Sequence, residues 1–574
     1  MISRDHGYVP IAHESDEDVI VPSVEATQRS ASHLPSETYR ATPHNGTLVV
    51  HPNGQGYTYA YGPKGLAGLL HNYYALGCTI FVSIGGLTFG YDQGVIANVL
   101  VMKDFVQRWP IGAWEKGLMT AALELGSLIG ALVSGVFADR YSRRQSILSA
   151  CIVFCIGSTL QFAAQSPGYL ILGRAIGGLG VGALSMLSPL YMAEISPPEL
   201  RGSLMALEQF AIVIGAVLGF WAGFFTRNIE GSASWRAPLG IQLIPGLLLG
   251  VGCLFLPASP RLLVAHGQTN DALESLAKLR LRTSAEADTD PLLQIELLEM
   301  QVDAALTNQR AGNDSKAGTI QGEAHAWGQL FSTRFINRTL IGIMMMFFQQ
   351  WSGINALLYY GPTLMHSLGL QGDVVTLMVS GGIGIVQFLP FCSNVFIDRL
   401  GRKPLLRWGS AVMAAAHLLI AILVRQNEGD WSSHSFAAWL SVGCVYIFTA
   451  AYGMSYGPIG WVLPSEVFPL SVRSKGVSLS TASNWFNNFL IGLLTPGLME
   501  FSASGTFLIF AIACAAGYFW STYIVPETAN VPLEEIDAVF GSSAGREDLV
   551  LKHQIERDLG LYDLVQQWAT DSID

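Results

Sequence analysis

Charge is what this 574-residue chain has least of. Asp, Glu, Lys and Arg together make up 13% of it, where a soluble chain carries roughly a quarter. Half of the residues are hydrophobic and the mean hydropathy is +0.38. The chain also has no Gly-x-x-x-x-Gly-Lys-Ser/Thr phosphate loop, so neither a nucleotide cradle nor an ATP-driven pump is expected. No His/Glu or Asp constellation suited to an intramembrane enzyme is visible, and no cofactor is implied. The acid excess behind the net charge of −11 lies largely in the two tails and offers nothing to a nucleic acid. Met1–Tyr61 is polar, acidic and rich in Ser, Thr and Pro, with no apolar core for a secretory signal. It reads as a disordered tail. The seven cysteines all fall in apolar segments. Cys151 and Cys155 stand four apart, but no His or further Cys completes a metal site, so they read as small buried hydrophobes.

Apolar runs are what the chain has in abundance. Segments of about 20 apolar residues recur, and they are too long and continuous for the alternating strands of a barrel. Backbone groups in lipid must bond internally, so the expected fold is an all-α integral membrane bundle. Twelve spans are read: Tyr74–Ala97, Glu115–Phe137, Gln145–Ala164, Tyr169–Met192, Leu204–Phe225 and Ala237–Leu256, then Arg338–Leu364, Val374–Ile397, Leu405–Val424, Phe436–Leu463, Lys475–Met499 and Thr506–Val525. Residues 1–69 form an N-terminal tail, 70–257 a first six-helix bundle, 258–337 a polar linker, 338–526 a second bundle and 527–574 a C-terminal tail. Within the linker, Asn270–Leu281 and Pro291–Leu306 read as amphipathic helices lying under the membrane.

Basic residues orient the chain. The connections after spans 2, 4, 8 and 10 carry Arg140, Arg143, Arg144, Arg201, Arg399, Arg402, Lys403, Arg407, Arg473 and Lys475. The odd-numbered connections carry fewer, so the positive-inside rule places the first set, the linker and both tails in the cytoplasm. The sequons at Asn45, Asn313 and Asn337 are then expected to stay unglycosylated.

Two motifs recur. Gly135-Val-Phe-Ala-Asp139-Arg140-Tyr-Ser-Arg143-Arg144 returns as Asn394-Val-Phe-Ile-Asp398-Arg399-Leu-Gly-Arg402-Lys403, its aspartates 259 positions apart. Glu194 precedes Arg201 by seven residues, as Glu466 precedes Arg473, and these glutamates stand 272 apart. Similar offsets in the same order imply a duplicated six-helix unit with a binding cavity between the halves. Carboxylates and guanidiniums at partly buried helix ends can form bidentate pairs that break as the halves part. Asp139, Arg140, Arg144, Glu194, Arg201, Asp398, Arg399, Arg402, Glu466 and Arg473 are therefore candidates for a gating network. Plain positive-inside topology would also account for the basic residues.

Over about Leu70–Val539 the chain resembles the sugar porters of the major facilitator superfamily, its fungal members in particular. The resemblance rests on those repeats, on Gly173-Arg174 through Gly182 and on Pro189-Leu-Tyr-Met-Ala-Glu194. It rests also on Gln349-Gln350-Trp351-Ser352-Gly353-Ile354-Asn355 with Tyr359-Tyr360, Gly457-Pro458-Ile-Gly-Trp461, Glu466-Val-Phe-Pro469, Pro526-Glu527-Thr528 and Leu533-Glu534-Glu535-Ile536. It implies two pseudo-symmetric bundles that carry a monosaccharide by alternating access at the plasma membrane, with no nucleotide, and as a monomer. Non-transporting sugar sensors share the fold but usually carry a long C-terminal signalling tail. Facilitative carriage, and carriage of disaccharides, polyols or quinate-like acids, also fit the pattern.

A pyranose donates and accepts hydrogen bonds through its hydroxyls and offers a C–H face to aromatic rings, so its site calls for amides and aromatics. Gln349, Gln350 and Asn355 in span 7 supply three amides. Buried amides are costly in an apolar span, and helix–helix contact would also employ them. The resemblance implies a helix break near Ser352-Gly353 that aims them into one cavity. It adds Phe89, Gln209, Tyr359, Trp461, Asn484 and Asn488 as sugar contacts, with Trp485 as a further candidate. Prolines on either side of Trp461 are expected to break span 10. Asp92 in span 1 and Arg174 in span 4 are charges inside the hydrocarbon zone, each costing about 2.5–3.5 kcal/mol if unpaired. In proton-linked sugar porters the matching residues pair and respond to protonation, so the resemblance implies a co-transported proton.

The chain departs from the family pattern in places. Ser142 stands where the family usually has Gly, Ala216 where the bacterial xylose symporter has a second Gln, and Ala529-Asn530 where Lys-Gly is usual. Glu124 in span 2 is an additional acid, either a second coupling or pairing residue or a snorkelling cap.

Overall fold

The computed structural model describes residues 38–41, 46–50, 57–63, 66–313, 327–370, 373–388, 401–427, 430–431, 433–468, 472–528 and 544–570. Twelve helical stretches follow one another in the expected order. In the first bundle they are Tyr73–Val82 with Ile84–Val99, Ala113–Arg140, Arg143–Phe162, Pro167–Ile195, Arg201–Thr226 and Ala233–Ile241 with Leu243–Gly252. In the second they are Ile336–Trp351 with Ile354–Ser367, Asp373–Phe388, Arg402–Asn427, Ser435–Met454 with Tyr456–Val467, Arg473–Phe501 and Ala503–Tyr523. Among the described residues, nine of these stretches are long and apolar enough to cross a membrane. Spans 7, 8 and 11 fall short: span 7 is broken, the described part of span 8 is short, and span 11 is rich in Ser and Asn.

Local sequence sets the helix ends. Ser166 accepts from the Tyr169 N–H with Pro167 at the first helical position, so span 4 begins there. Ser142, the departure from the family's glycine, accepts from the Gln145 N–H at 3.3 Å and caps span 3. The change therefore supplies a cap at this turn.

Glycines let the helices approach closely within the first bundle. A Cβ on Gly94 of span 1 would stand 2.1 Å from the Ala216 carbonyl oxygen of span 5. One on Gly178 of span 4 would stand 2.1 Å from that of Leu123 in span 2. Backbone-to-backbone packing of this kind replaces the hydrophobic drive that lipid removes. The end of the fold carrying the Arg143 and Arg402 turns is its basic face. Contacts between the bundles are seen toward the opposite face. Gly497 of span 11 meets Trp114, Gly117 of span 2 meets Leu493, and Gly381 of span 8 meets Phe220 and Trp221 of span 5.

The expectation of a disordered tail over residues 1–69 needs correction. Thr38–Ala41 (β1), Thr47–Val50 (β2) and Tyr57–Ala60 (β3) form an antiparallel sheet in the order β1-β2-β3. The polarity of this segment misleads, because its tyrosines find polar partners. Tyr57 and Tyr59 both donate to the Glu299 carboxylate, at 2.8 and 2.7 Å. Burial raises that carboxyl above its ordinary value, against the pull of the two hydroxyls. The linker helices are present as expected, at Thr269–Leu279 and Pro291–Asn313. Two helices of the C-terminal segment, Ala544–Asp558 and Leu561–Thr570, pack against the second of them. Leu48, Tyr61, Leu276, Leu293, Ile555 and Val565 thus share one buried core outside the spans.

Candidate functional site

Span 7 shapes the site. Its first helix stops at Trp351 and its second starts at Ile354, with Gly353 between them at φ +94°. A side chain is strained at that angle, and a Cβ there would stand 2.8 Å from the Phe510 ring. His417 Nε2 lies 2.9 Å from the Ser352 carbonyl and satisfies a group that the break frees. Across the break the Asn355 amide donates to Gln350 Oε1, so the expected convergence of these two amides is present.

From there a continuous hydrogen-bond network crosses between the bundles. Asn355 Nδ2 also donates to Asn488 Oδ1 at 2.9 Å. Asn488 Nδ2 donates to Glu124 Oε2 at 3.0 Å, and the Tyr359 hydroxyl donates to Glu124 Oε1 at 2.6 Å. Gln93 Nε2 in turn donates to the Tyr359 oxygen at 3.0 Å. Glu124 and Gln93 belong to the first bundle, the others to the second, and all are buried. Glu124 is therefore no snorkelling cap. It is a buried acceptor at the seam, fully enclosed, and its two donors come from the opposite bundle.

Beside this network lies the expected ion pair. Arg174 Nη1 stands 2.7 Å from Asp92 Oδ1, and both side chains are wholly buried. Arg174 Nη2 reaches the Thr120 carbonyl at 3.5 Å, one helical turn from Glu124. Among the described residues, Asp92 Oδ2 and Arg174 Nε have no partner. A buried pair with unfilled hydrogen-bonding positions is poorly compensated for its desolvation, so it is a poor structural staple.

A second amide cluster sits behind the first. Asn484 Nδ2 donates to Gln349 Oε1 at 2.7 Å, while Gln349 Nε2 donates to the Tyr456 carbonyl at 2.9 Å. Gly460 leaves the room for this approach, since a Cβ there would stand 2.2 Å from Gln349 Nε2, and span 10 itself breaks at Ser455, with φ −125° and ψ −88°. The expected place for the break is the pair of prolines around Trp461, and it falls three residues before Pro458. Proline lacks the N–H that would bond the Met454 carbonyl, so the helix opens upstream of it. Trp461 itself lies inside the second helix, half-buried. Phe89 packs edge-on against Trp485 with ring centroids 5.0 Å apart. Gln209 is half-buried and joins neither cluster by a hydrogen bond among the described residues.

The gating candidates divide. Glu194 is held by Arg143 through Nη2 at 2.8 Å and Nε at 3.1 Å. Glu466 accepts from Arg402 at 2.8 Å and from the Thr528 hydroxyl at 2.6 Å. Each pair ties neighbouring spans of one bundle, spans 3 and 4 or spans 9 and 10, where the expectation was of pairs that part with the halves. Arg144 donates to the Leu256 carbonyl. Asp398 and Arg399 lie outside the described residues, as do the side chains of Asp139, Arg140, Arg201 and Arg473.

Several residues of the site are not evident from the sequence. Gln93 follows Asp92 directly, and nothing but that adjacency marks it. Arg143 and Arg144 are equivalent by charge alone, and it is Arg143 that pairs with Glu194. Glu527, which accepts from the Arg402 and Lys403 backbone N–H groups, has its motif as a signal.

Helices arranged in two repeated bundles, with a polar seam between them and a buried acid–arginine pair beside it, define a membrane carrier that works by moving one bundle against the other. A family model described as "Sugar (and other) transporter" matches residues 78–540, and the chain belongs to that family. It is 32% identical over 488 residues to a low-affinity glucose transporter of Saccharomyces cerevisiae, covering 81% of each chain. It is 32% identical over 484 residues to a probable glucose transporter of Neurospora crassa, covering 80% of this chain and 78% of that one. Among solved structures it is similar to the proton:xylose symporter XylE bound to 6-bromo-6-deoxy-D-glucose. The TM-score is 0.65 at 25% identity, with coverage of 81% of this chain and 99% of that one. The inward open conformation of XylE from E. coli gives a TM-score of 0.63 at 26% identity, covering 81% and 100%.

Proposed function

We propose that this chain carries a neutral monosaccharide across the plasma membrane by alternating access, together with a proton, with both tails in the cytoplasm. One observation carries this reading. Asp92 and Gln93 are neighbours in the chain, and one is bound to Arg174 while the other is bound through Tyr359 to the Glu124–Asn488–Asn355–Gln350 network. A change of charge at Asp92 therefore has a short covalent and hydrogen-bonded path to the amides.

The chemistry follows from what each group can exchange. With the seam closed, the amides of the second bundle satisfy one another, and Asn488 and Tyr359 bond across the seam to Glu124 and Gln93. When the face opposite the basic one opens, those bonds are lost and sugar hydroxyls, which both donate and accept, replace them. The net worth of each neutral bond is about 1 kcal/mol, so the exchange is close to balanced and the sugar can leave as readily as it enters. Protonation of Asp92 removes the charge that holds Arg174, and Arg174 turns to its carbonyl partner. The outward-open state then gains a proton and a sugar together, and closing encloses both. The yeast low-affinity glucose transporter and the proton:xylose symporter XylE support this class of cargo and coupling. The basic turns support the cytoplasmic placement of that face.

The test is uptake of labelled hexoses and pentoses in a yeast strain lacking its own hexose carriers, with and without a protonophore. Accumulation above the external level that collapses with the protonophore is the expected result. Uptake that equilibrates and ignores the protonophore would make the chain a facilitator. No uptake of any sugar, with protein present at the cell surface, would make it a sensor.

A further inference from the structure

Span 5 carries an acid that neither the amides nor the Asp92–Arg174 pair accounts for. Glu208 is 7% exposed, and among the described residues neither of its carboxylate oxygens has a hydrogen-bond partner. Its carboxyl fills the space that Gly86 of span 1 leaves, since a Cβ there would stand 2.9 Å from Glu208 Cδ and Oε1. Next to it, Gly85 leaves room for Ser188 of span 4, whose hydroxyl is also buried without a partner among the described residues.

Among the described residues, no cation compensates for the acid. On span 1 the nearest charged group along the helix toward the seam is Asp92, which Arg174 holds. On span 4, Glu194 is held by Arg143, and at the start of span 6 Arg236 donates to the Ala164 carbonyl. The hydroxyls of Tyr91 and Tyr191 donate to the carbonyls of Pro238 and Pro257. An ionised carboxylate enclosed without donor or counter-charge is far costlier than one that carries a proton. Gly86 precedes Asp92 by six residues, or about 9 Å along the helix, toward the basic face.

We propose that Glu208 is a second proton-binding residue, set on the basic-face side of the Asp92–Arg174 pair, which must hold a proton before the two bundles can close over it on that side. This rests on the proton-coupled, alternating-access reading above. The step is balanced by itself: the carboxylate takes a proton from water on the basic-face side when that side opens, and no other bond changes. Return of the empty carrier then slows as the pH on that side rises, because an ionised Glu208 cannot be enclosed.

Two measurements test it. In purified protein carrying isotope-labelled glutamate, the infrared carbonyl band of a protonated glutamic acid should be present at neutral pH. It should weaken in both Glu208→Gln and Glu208→Asp. In proteoliposomes, wild-type return should fall several-fold as the pH on the basic-face side goes from about 6 to about 8. Glu208→Gln should flatten that profile and Glu208→Asp should restore it. A labelled band unchanged in both variants, or a profile that Glu208→Gln leaves intact, overturns the proposal. Asp92→Asn is the separating control. If its accumulation stays protonophore-sensitive, the coupling reading fails while loss of the labelled band at Glu208 still stands.

Discussion

The two bundles are copies of one unit, yet they have divided the chemistry between them. At the basic face they remain alike: Arg143 binds Glu194 in one as Arg402 binds Glu466 in the other. Half-way along the helices they differ. The first bundle buries ionisable side chains, with Asp92, Arg174, Glu124 and Glu208 all enclosed. The second buries neutral amides, with Gln349, Gln350, Asn355, Asn484 and Asn488 enclosed. Charge suits a proton, whose binding changes the sign balance of its site. Amides suit a polyol, whose binding exchanges one set of neutral hydrogen bonds for another. Duplication kept the scaffold and let the two interiors specialise.

The sharpest way to break this comparison is to remove the cation of the first bundle. Arg174→Gln leaves Asp92 buried without its partner, a loss of about 3–5 kcal/mol. Little folded protein should reach the surface, as measured by a fused fluorophore and by size exclusion. The double variant Asp92→Asn/Arg174→Gln should restore folding, since both charges are gone. Failure of that rescue would mean that Arg174 is needed for something besides Asp92. Next in size is Asp92→Asn alone. It should abolish accumulation above the external sugar concentration while exchange of sugar continues, which counterflow measures. An accumulating Asp92→Asn carrier would remove the proton from the first bundle's role.

The same division explains what could be read from the sequence. The twelve spans, the duplication and the buried charges of Asp92 and Arg174 were legible, because apolar length and a charge inside an apolar run are local signals, while the pairing of those two came through the resemblance. The break in span 7 was legible through its resemblance, and Gly353 supplies the reason. The partners were not legible. Glu124 could be placed in span 2 but not at the seam, since only the packing of spans 2 and 11 brings Asn488 to it. Glu208, a charge inside span 5, was passed over, and it is Gly86 set against it that marks it out. The sheet of residues 38–60 was missed because its stability comes from Glu299 and the linker core, more than two hundred residues away in sequence.

In the second bundle the effects should be smaller and fall on sugar affinity. Asn488→Ala removes the acceptor for Asn355 and one donor to Glu124. Loss of a buried hydrogen-bonding partner costs about 1–3 kcal/mol, so the KM for sugar should rise about tenfold or more. The protonophore sensitivity of the remaining uptake should persist. Asn484→Ala, in the rear cluster, should raise KM by less, because Gln349 keeps the Tyr456 carbonyl. If Asn488→Ala abolished proton coupling while sparing KM, the amides would belong with the charges, and the division between the bundles would not hold.

The smallest effects belong where the bundles are still alike. Glu194→Gln and Glu466→Gln each weaken one ion pair within one bundle, and both pairs sit at helix ends with some access to water. Glu194 loses charge-assisted bonds from both Nη2 and Nε of Arg143, whereas Glu466 keeps a neutral partner in Thr528. Both variants should lower maximal uptake by a few-fold with little change in KM, and Glu194→Gln should lower it more. The reason is geometric: spans 3 and 4, or 9 and 10, must stay locked for a bundle to rock as one body, and a loosened lock costs rate before it costs affinity. Measured side by side in the same uptake assay, equal losses would mean that Thr528 adds nothing to its pair. A large change in KM from either would place these turns in contact with the sugar path, and the symmetry of the basic face would then conceal a functional difference.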